Sequence, residues 1–523
     1  MPDSGSLSGK SKNITYRESD NEEAFRNTMI KAVSIGRALT CLRSDIQQQL
    51  KAAKEDLNLE YVRIRDIFSD SLFFYFEDAD KNPVFNWVAI DTIFDFFRSI
   101  DVRPYIELGY TPAPLASKKQ YAAWQYHPNV SMPKSYPAWA NLITRFFEHI
   151  IERYGLEEVR KWYFEFWTNP NLKLEKGYWY ESREEFFRFY AVTYFAVKSV
   201  DSQLILGSPN FSYPAGLGWY ENFLVFAKEN GIKPDFISHH AYSIGDGQSE
   251  KNESILNLNA ENVYHALAPE KEYLAMQIRA LREISESRGF GDLDIIISDW
   301  NVSYLPQDYS RDTCFMAAFM LHSFTRAMGQ VKCLCVWSLS DIHEEFFYHD
   351  TMFHGGPGLI DYAGIPKASY YALSFVGSLS KEIIRAEDNY ILTKNGAGYQ
   401  LILYNMAFYD SAYRTPDLSA ITYSQRYNIY DDVRTMNFHI ALKIEPGQYN
   451  ITERIINRES GSSYDIWQKM GRPEKIMGHL ADYLKSKCIP DVYMETIAAD
   501  PELVLDISVE PHGVTYISIQ PVK

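Results

Sequence analysis

The sequence predicts an α/β chain: a (β/α)8 TIM barrel followed by a C-terminal β-sandwich. Three observations predict it. Between about residues 30 and 380, short apolar strands alternate with helical spacings through eight units, the number that closes a parallel barrel. Beyond about residue 380 the helical spacing gives way to strand patterns flanking an Asn395-Gly396 turn. The 523 residues exceed one ordinary compact domain; a barrel of about 250 residues or more plus a smaller domain fits them.

In chain order, residues 1–24 are rich in Ser, Gly, Lys and Asp with few apolar positions, and read as a flexible tail. The barrel is expected over 25–380. An opening strand near 29–36 precedes a helix at 45–57. Strands are expected at 61–65, 103–108, 162–167, 204–207, 235–240, 294–299 and 331–339. The helices that follow them are at 87–99, 136–154, 184–200, 219–230, 271–288, 312–328 and 368–377. The sandwich is expected over 381–523, with strands at 390–393, 400–404, 438–444, 449–455, 503–509 and 514–519.

Composition narrows the function classes. A net charge of −16 opposes a nucleic-acid surface, because phosphate binding needs clustered Lys and Arg. The five cysteines lack disulfide or zinc spacing, and Cys333 and Cys335 alternate on one strand, as buried thiols in a reducing compartment would. No charged-then-apolar leader or membrane-length apolar run is present, so a cytoplasmic chain without a membrane partner is expected. No metal spacing, phosphate loop or Ser-His-Asp arrangement stands out, so no cofactor is expected. Nothing in the sequence selects an oligomeric state. Tyr (38) and Phe (31) far outnumber Trp (10), a share that serves both core filling and the aromatic faces of sugar clefts.

The fourth strand ends in Phe164-Glu165-Phe166-Trp167-Thr168-Asn169-Pro170-Asn171-Leu172, and the seventh in Ile297-Ser298-Asp299-Trp300-Asn301-Val302-Ser303-Tyr304. The first resembles the Phe-Glu-Val-Trp-Asn-Glu-Pro-Asn-Leu motif of glycoside hydrolase family 39, which holds β-xylosidases and α-L-iduronidases; the second resembles its nucleophile strand. Leu115-Ala116-Ser117, His240-Ala241-Tyr242, Trp337-Ser338-Leu339-Ser340-Asp341, Phe353-His354-Gly355-Gly356 and the stretch from Tyr464 to Gly471 extend the similarity. The resemblance implies a carbohydrate ligand. It implies an acid/base at Asn169 and a nucleophile at Asp299, where the family has Glu at both. It also implies sugar-binding positions at Arg65, Thr168, His240, Tyr242, Trp337 and His354. Glu107, Glu344 and Glu345 fall at or near other strand ends, from which they can face the cleft to bond a sugar, while Glu344-Glu345 equally reads as a solvated loop.

The two departures matter because a retaining glycosidase needs one carboxyl to protonate the leaving oxygen and a second to attack the anomeric carbon. Asn169 has no titratable proton, and Asp299 is one methylene short. A positioned general acid contributes about 10²–10⁴-fold, and a misplacement of about 1 Å costs on the order of 10²-fold. Together they remove on the order of 10⁴–10⁶-fold. Glu165 lies four residues before Asn169, too deep in the strand to substitute. Thr168 replaces the family's Asn at the sugar 2-hydroxyl. Arg65 replaces a His and makes the cleft less negative, favouring an anionic sugar unless it pairs with Asp66 or Asp70. The expectation is a carbohydrate-binding protein with degenerate catalytic carboxylates and little hydrolysis, like the barrels fused to AraC-type regulators. This chain shows no helix-turn-helix. The alternative is an altered retaining β-glycosidase, β-xylosidase-like, with Asp299 as nucleophile.

Overall fold

The computed structural model describes residues 9–17, 24–122, 126–172, 177–212, 216–243, 271–305, 307–343, 351–410, 422–476 and 478–522. Eight parallel strands form the barrel: Ala32–Arg37, Tyr61–Arg65, Arg103–Leu108, Tyr163–Phe166, Ile205–Pro209, Phe236–Tyr242, Asp294–Asn301 and Cys333–Trp337. Val336 pairs with Val33, which joins strand eight to strand one. At strand five the chain breaks at Asn210. Ile205–Pro209 pairs with strand four and Phe211–Ser212 with strand six, so the two halves of one segment close the ring. These strands are buried on both faces and read as nearly continuous apolar runs, as a parallel sheet wrapped by helices requires. Each expected barrel strand and its helix is present, within a few residues at the ends.

The helices dock through one apolar face. In Tyr136–Tyr154, Trp139, Leu142, Ile143, Phe146, Phe147 and Ile150 recur at the spacing of three and four that stripes a helix. Ser135 starts it by accepting the Ala138 N–H, with Pro at the second helical position, where no backbone donor is needed.

A seven-stranded sheet and a three-stranded sheet share a second core, centred on Ile14, Leu392, Leu401, Phe438, Ile440, Leu505 and Ile517. This is the sandwich. The expected hairpin turns at Gly396, whose φ of +63° lies in the left-handed region that glycine enters freely. Two expectations need correction. Residues 1–24 are not a tail throughout: Lys10–Arg17 is a strand in parallel register with Met436–Lys443, because Ile14 and Tyr16 alternate inward and fill the sandwich core. Phe25–Arg26, expected within the barrel, pairs with Glu382 and Ile383 of the seven-stranded sheet. The sandwich region also carries helices at Ser463–Lys469 and His479–Lys487.

Candidate functional site

Inside the barrel, below the C-terminal ends of its strands, a charged cluster gathers around Arg63, on strand two. Its side chain is fully buried. Nε donates to Glu165 Oε1 at 2.7 Å, Nη2 to Glu107 Oε2 at 2.7 Å, and Nη1 to Asp299 Oδ2 at 3.2 Å. Burial works against the Arg63 charge, but Glu165, Asp299 and Glu107 outweigh it and hold the guanidinium protonated. Strand register explains the convergence. Glu107 stands opposite Glu165, and His240 opposite Asp299, so alternate residues of four strands point into one layer.

Each acid has a different degree of commitment. Glu165 also accepts from Tyr105 Oη at 2.8 Å and from Ser238 Oγ, so both its oxygens are taken. Glu107 puts both bonds on Oε2, from Arg63 and from Thr168 Oγ1, while its buried Oε1 has no hydrogen-bond partner among the described residues. Burial pushes the Glu107 carboxyl up to about 7, against the pull of Arg63. Asp299 is 2 % exposed; Oδ2 is held by Arg63, and Oδ1 has no hydrogen-bond partner among the described residues. Burial raises its pKa above the ordinary carboxylate value, and Arg63 and Arg65 oppose the rise.

His240 accepts at Nε2 from Asn210 Nδ2 (2.6 Å) and from Arg63 Nη2 (3.2 Å). With two donors aimed at that nitrogen, the ring is neutral. Burial drives its pKa well below normal, and Arg63 adds to this. Its 3.9 Å approach to Asp299 is therefore not a charge pair. Asn169, at φ +40° just beyond strand four, is 8 % exposed. Its Oδ1 accepts from Ser212 Oγ at 2.5 Å. Ser212 in turn pairs with His240 across strands, which links the position of Asn169 to that of Asp299 along the rim.

The expected residues are placed unevenly. Asn169, Thr168, Glu107, His240, Asp299 and Arg65 converge. Arg65 is 3 % exposed among Tyr110, Tyr126, Tyr178 and Asp299; Asp66 forms an ion pair with Arg37 at 3.4 Å, and Asp70 accepts the Ala113 N–H at 3.0 Å. Thr168 differs from its expected part. It is fully buried, and its hydroxyl is donated to Glu107. Tyr242 and Trp337 meet edge to face with ring centres 6.0 Å apart, forming a wall beside strands six and eight. His354 sits in the loop after strand eight, its Nδ1 3.0 Å from Thr351 O. Glu344 lies outside the described residues.

That loop is braced by a second buried charge cluster that sequence reasoning missed. Lys367 Nζ lies 2.8 Å from Asp312 and 2.7 Å from Asp341, and Arg426, from the chain beyond the barrel, lies 2.8 Å from Asp312. Arg426 also donates to Phe353 O at 2.7 Å, and Gly355 N donates to Asp312. Arg63, Asn210 and Ser212 were missed as well. The available signal was Arg63-Ile64-Arg65, two cations at strand period within an apolar stretch. Among the described residues, Glu107, Glu165 and His240 have the spacing to hold a metal ion, but all three bond the Arg63 guanidinium, which supplies that positive charge. Glu272 and Asp388, which group with His322, are likewise bonded to Arg326.

Comparison with known proteins agrees with this architecture. The family model described as glycosyl hydrolases family 39 matches residues 13–484. A β-xylosidase of Geobacillus stearothermophilus is 29% identical over 511 residues, covering 97% of this chain and 95% of the relative. A β-xylosidase of Caldicellulosiruptor saccharolyticus is 30% identical over 505 residues, covering 94% of each. The crystal structure of a monomeric β-xylosidase from Caulobacter crescentus CB15 superposes with a TM-score of 0.85 at 26% identity, over 98% of this chain and 100% of that one.

Proposed function

We propose, from the premise that this chain belongs to glycosyl hydrolase family 39, that it is an altered retaining β-glycosidase of the β-xylosidase kind with Asp299 as its nucleophile. The observation that carries this reading is the state of Asp299. One carboxylate oxygen is anchored by Arg63, and the other, at the strand-seven end, has no hydrogen-bond partner among the described residues. A nucleophile needs that arrangement, because the anchor fixes the group and favours its charged form against burial while the second oxygen attacks. Full-length similarity to two β-xylosidases supports the substrate class. His240 is a neutral acceptor-side neighbour, and Tyr242 and Trp337 offer aromatic faces on which a sugar ring stacks.

A second reading, sugar binding with little hydrolysis, is favoured by one observation: the acid/base position carries the amide of Asn169. An aryl β-xyloside with a good leaving group separates the two. Turnover that disappears in Asp299→Ala supports the glycosidase. No turnover, together with xylobiose binding by isothermal titration, supports the binding protein. Titration with neutral and acidic xylo-oligosaccharides tests the anionic preference drawn from Arg65, and equal affinities would remove it.

A further inference from the structure

The Asn169 amide is built in rather than merely tolerated. Ser212 Oγ donates to its Oδ1, and Ser212 is itself locked in place by Asn171: Asn171 Nδ2 donates to Ser212 O and Ser212 N donates to Asn171 Oδ1, both at 3.0 Å. With its oxygen taken, Asn169 can offer a leaving atom only amide N–H groups, which hydrogen-bond without transferring a proton. Glu165 has both oxygens occupied, and Glu107 is anchored through Oε2 by Arg63 and Thr168, with its Oε1 buried and unbonded among the described residues. The site therefore pairs an oriented carboxylate with a fixed neutral donor.

We propose that this site is matched to glycosides whose leaving group departs as a stable anion, and that its glycosyl–Asp299 ester is discharged by an anionic nucleophile. This rests on Asp299 being the nucleophile. In the first step Asp299 Oδ1 attacks the anomeric carbon, and the bond to the leaving group breaks with its electron pair staying on that group as the anion. No proton is required. In the second, the incoming anion attacks the same carbon and the electron pair of the ester bond returns to the Asp299 carboxylate. The balance is glycosyl–X plus Nu⁻ giving glycosyl–Nu plus X⁻, with the anomeric configuration retained by two inversions. Water is a poor partner in the second step because it must lose a proton to a base, and an amide cannot take one.

The test uses the full chain with 2,4-dinitrophenyl β-xyloside, phenyl β-xyloside and sodium azide as the anionic probe. The expected result is a burst of about one equivalent of dinitrophenolate followed by slow turnover. Azide then raises the steady rate by at least about ten-fold, a fraction of the 10²–10⁴-fold a general base supplies, and β-xylosyl azide is formed. Phenyl β-xyloside is left intact, and Asn169→Glu gains its hydrolysis while losing the azide effect. A burst with no azide acceleration and no xylosyl azide would overturn the proposal while leaving Asp299 as nucleophile. So would wild-type hydrolysis of phenyl β-xyloside that Glu107→Gln abolishes, since Glu107 would then be the acid. No dinitrophenolate release by either wild type or Asn169→Glu would instead overturn the glycosidase reading on which the proposal stands.

Discussion

Arg63 reaches three carboxylates and an imidazole from one buried guanidinium, so its removal strands charges that have no water to turn to. Breaking a buried charge pair from one side costs about 3–5 kcal/mol. Arg63→Met is expected to lose at least that much, read as a lowered urea midpoint. Arg63→Lys is expected to rescue little, because one ammonium cannot reproduce the guanidinium fork. A smaller change tests Thr168. Its hydroxyl donates to Glu107, whose carboxyl burial already lifts to about 7. Thr168→Val removes a bond that favours the charged form, so the Glu107 pKa should rise further and stability should fall by about 1.5–3 kcal/mol, the range for hydrogen bonds to charged groups. Carbonyl-region infrared titration of Glu107 checks the direction. An unmoved or lowered pKa would contradict the bond. At this scale the sequence told a great deal about identity and less about partnership. Asn169 and Asp299 were legible because they sit in strand-end motifs. Arg63 was not, because its importance comes from register between strands that are distant in the chain.

Among the elements, the loop after strand eight is positioned by close packing of backbone on backbone. A Cβ added at Gly358 would lie 2.2 Å from Asp341 N and 2.3 Å from Ser340 C, and Gly358 N donates to Asp341 Oδ1. Neither neighbour is a flexible side chain that can step aside. Gly358→Ala is expected to cost at least about 1–3 kcal/mol as overpacking. It should also shift the loop carrying His354, weakening sugar affinity in titration calorimetry along with the thermal midpoint. Retained affinity with a lowered midpoint would mean the loop supports the fold but not the pocket. The first strand offers the complementary case. Ile14 is fully buried in the sandwich core, so Ile14→Ala should cost about 2–5 kcal/mol in denaturant unfolding, where a tail residue would cost nothing. Its strand was hard to read because only Ile14 and Tyr16 mark it, within a stretch otherwise rich in small and polar residues. The barrel strands were legible because each is a longer apolar run followed by a helix at its own period. The helix Ser463–Lys469 is only seven residues long and His479–Lys487 is largely exposed, so neither announces itself by period.

Across the whole molecule, buried carboxyls set a pH dependence of stability with two limbs. Burial lifts Asp66 to about 6, Glu107 to about 7 and Asp361 to about 7; Arg37 opposes the rise at Asp66, Arg63 opposes it at Glu107, and Asp341 adds to it at Asp361. Groups raised above their unfolded values of about 4 bind a proton more tightly when folded. Their contribution is fully present below that pH and lost as the pH climbs through about 6–7. Glu272 does the opposite. His322 and Arg326 hold it down at about 2 despite burial, so its contribution is present above about 4.5 and lost as the pH falls toward 2. The thermal midpoint is therefore expected to fall between pH 5 and pH 8, and again on strong acidification. Asp361 makes the alkaline limb separable, since it accepts backbone N–H groups of Phe353 and Ala363 without a cation bonded to it among the described residues. Asp361→Asn keeps an accepting oxygen and cannot ionise, so the drop from pH 5 to pH 8 should shrink in that variant while the acid limb persists. Glu272→Gln should flatten the acid limb alone. Differential scanning calorimetry across this range decides the matter: a variant at Asp361 with the wild-type slope would show that its carboxyl stays ionised in the folded protein throughout.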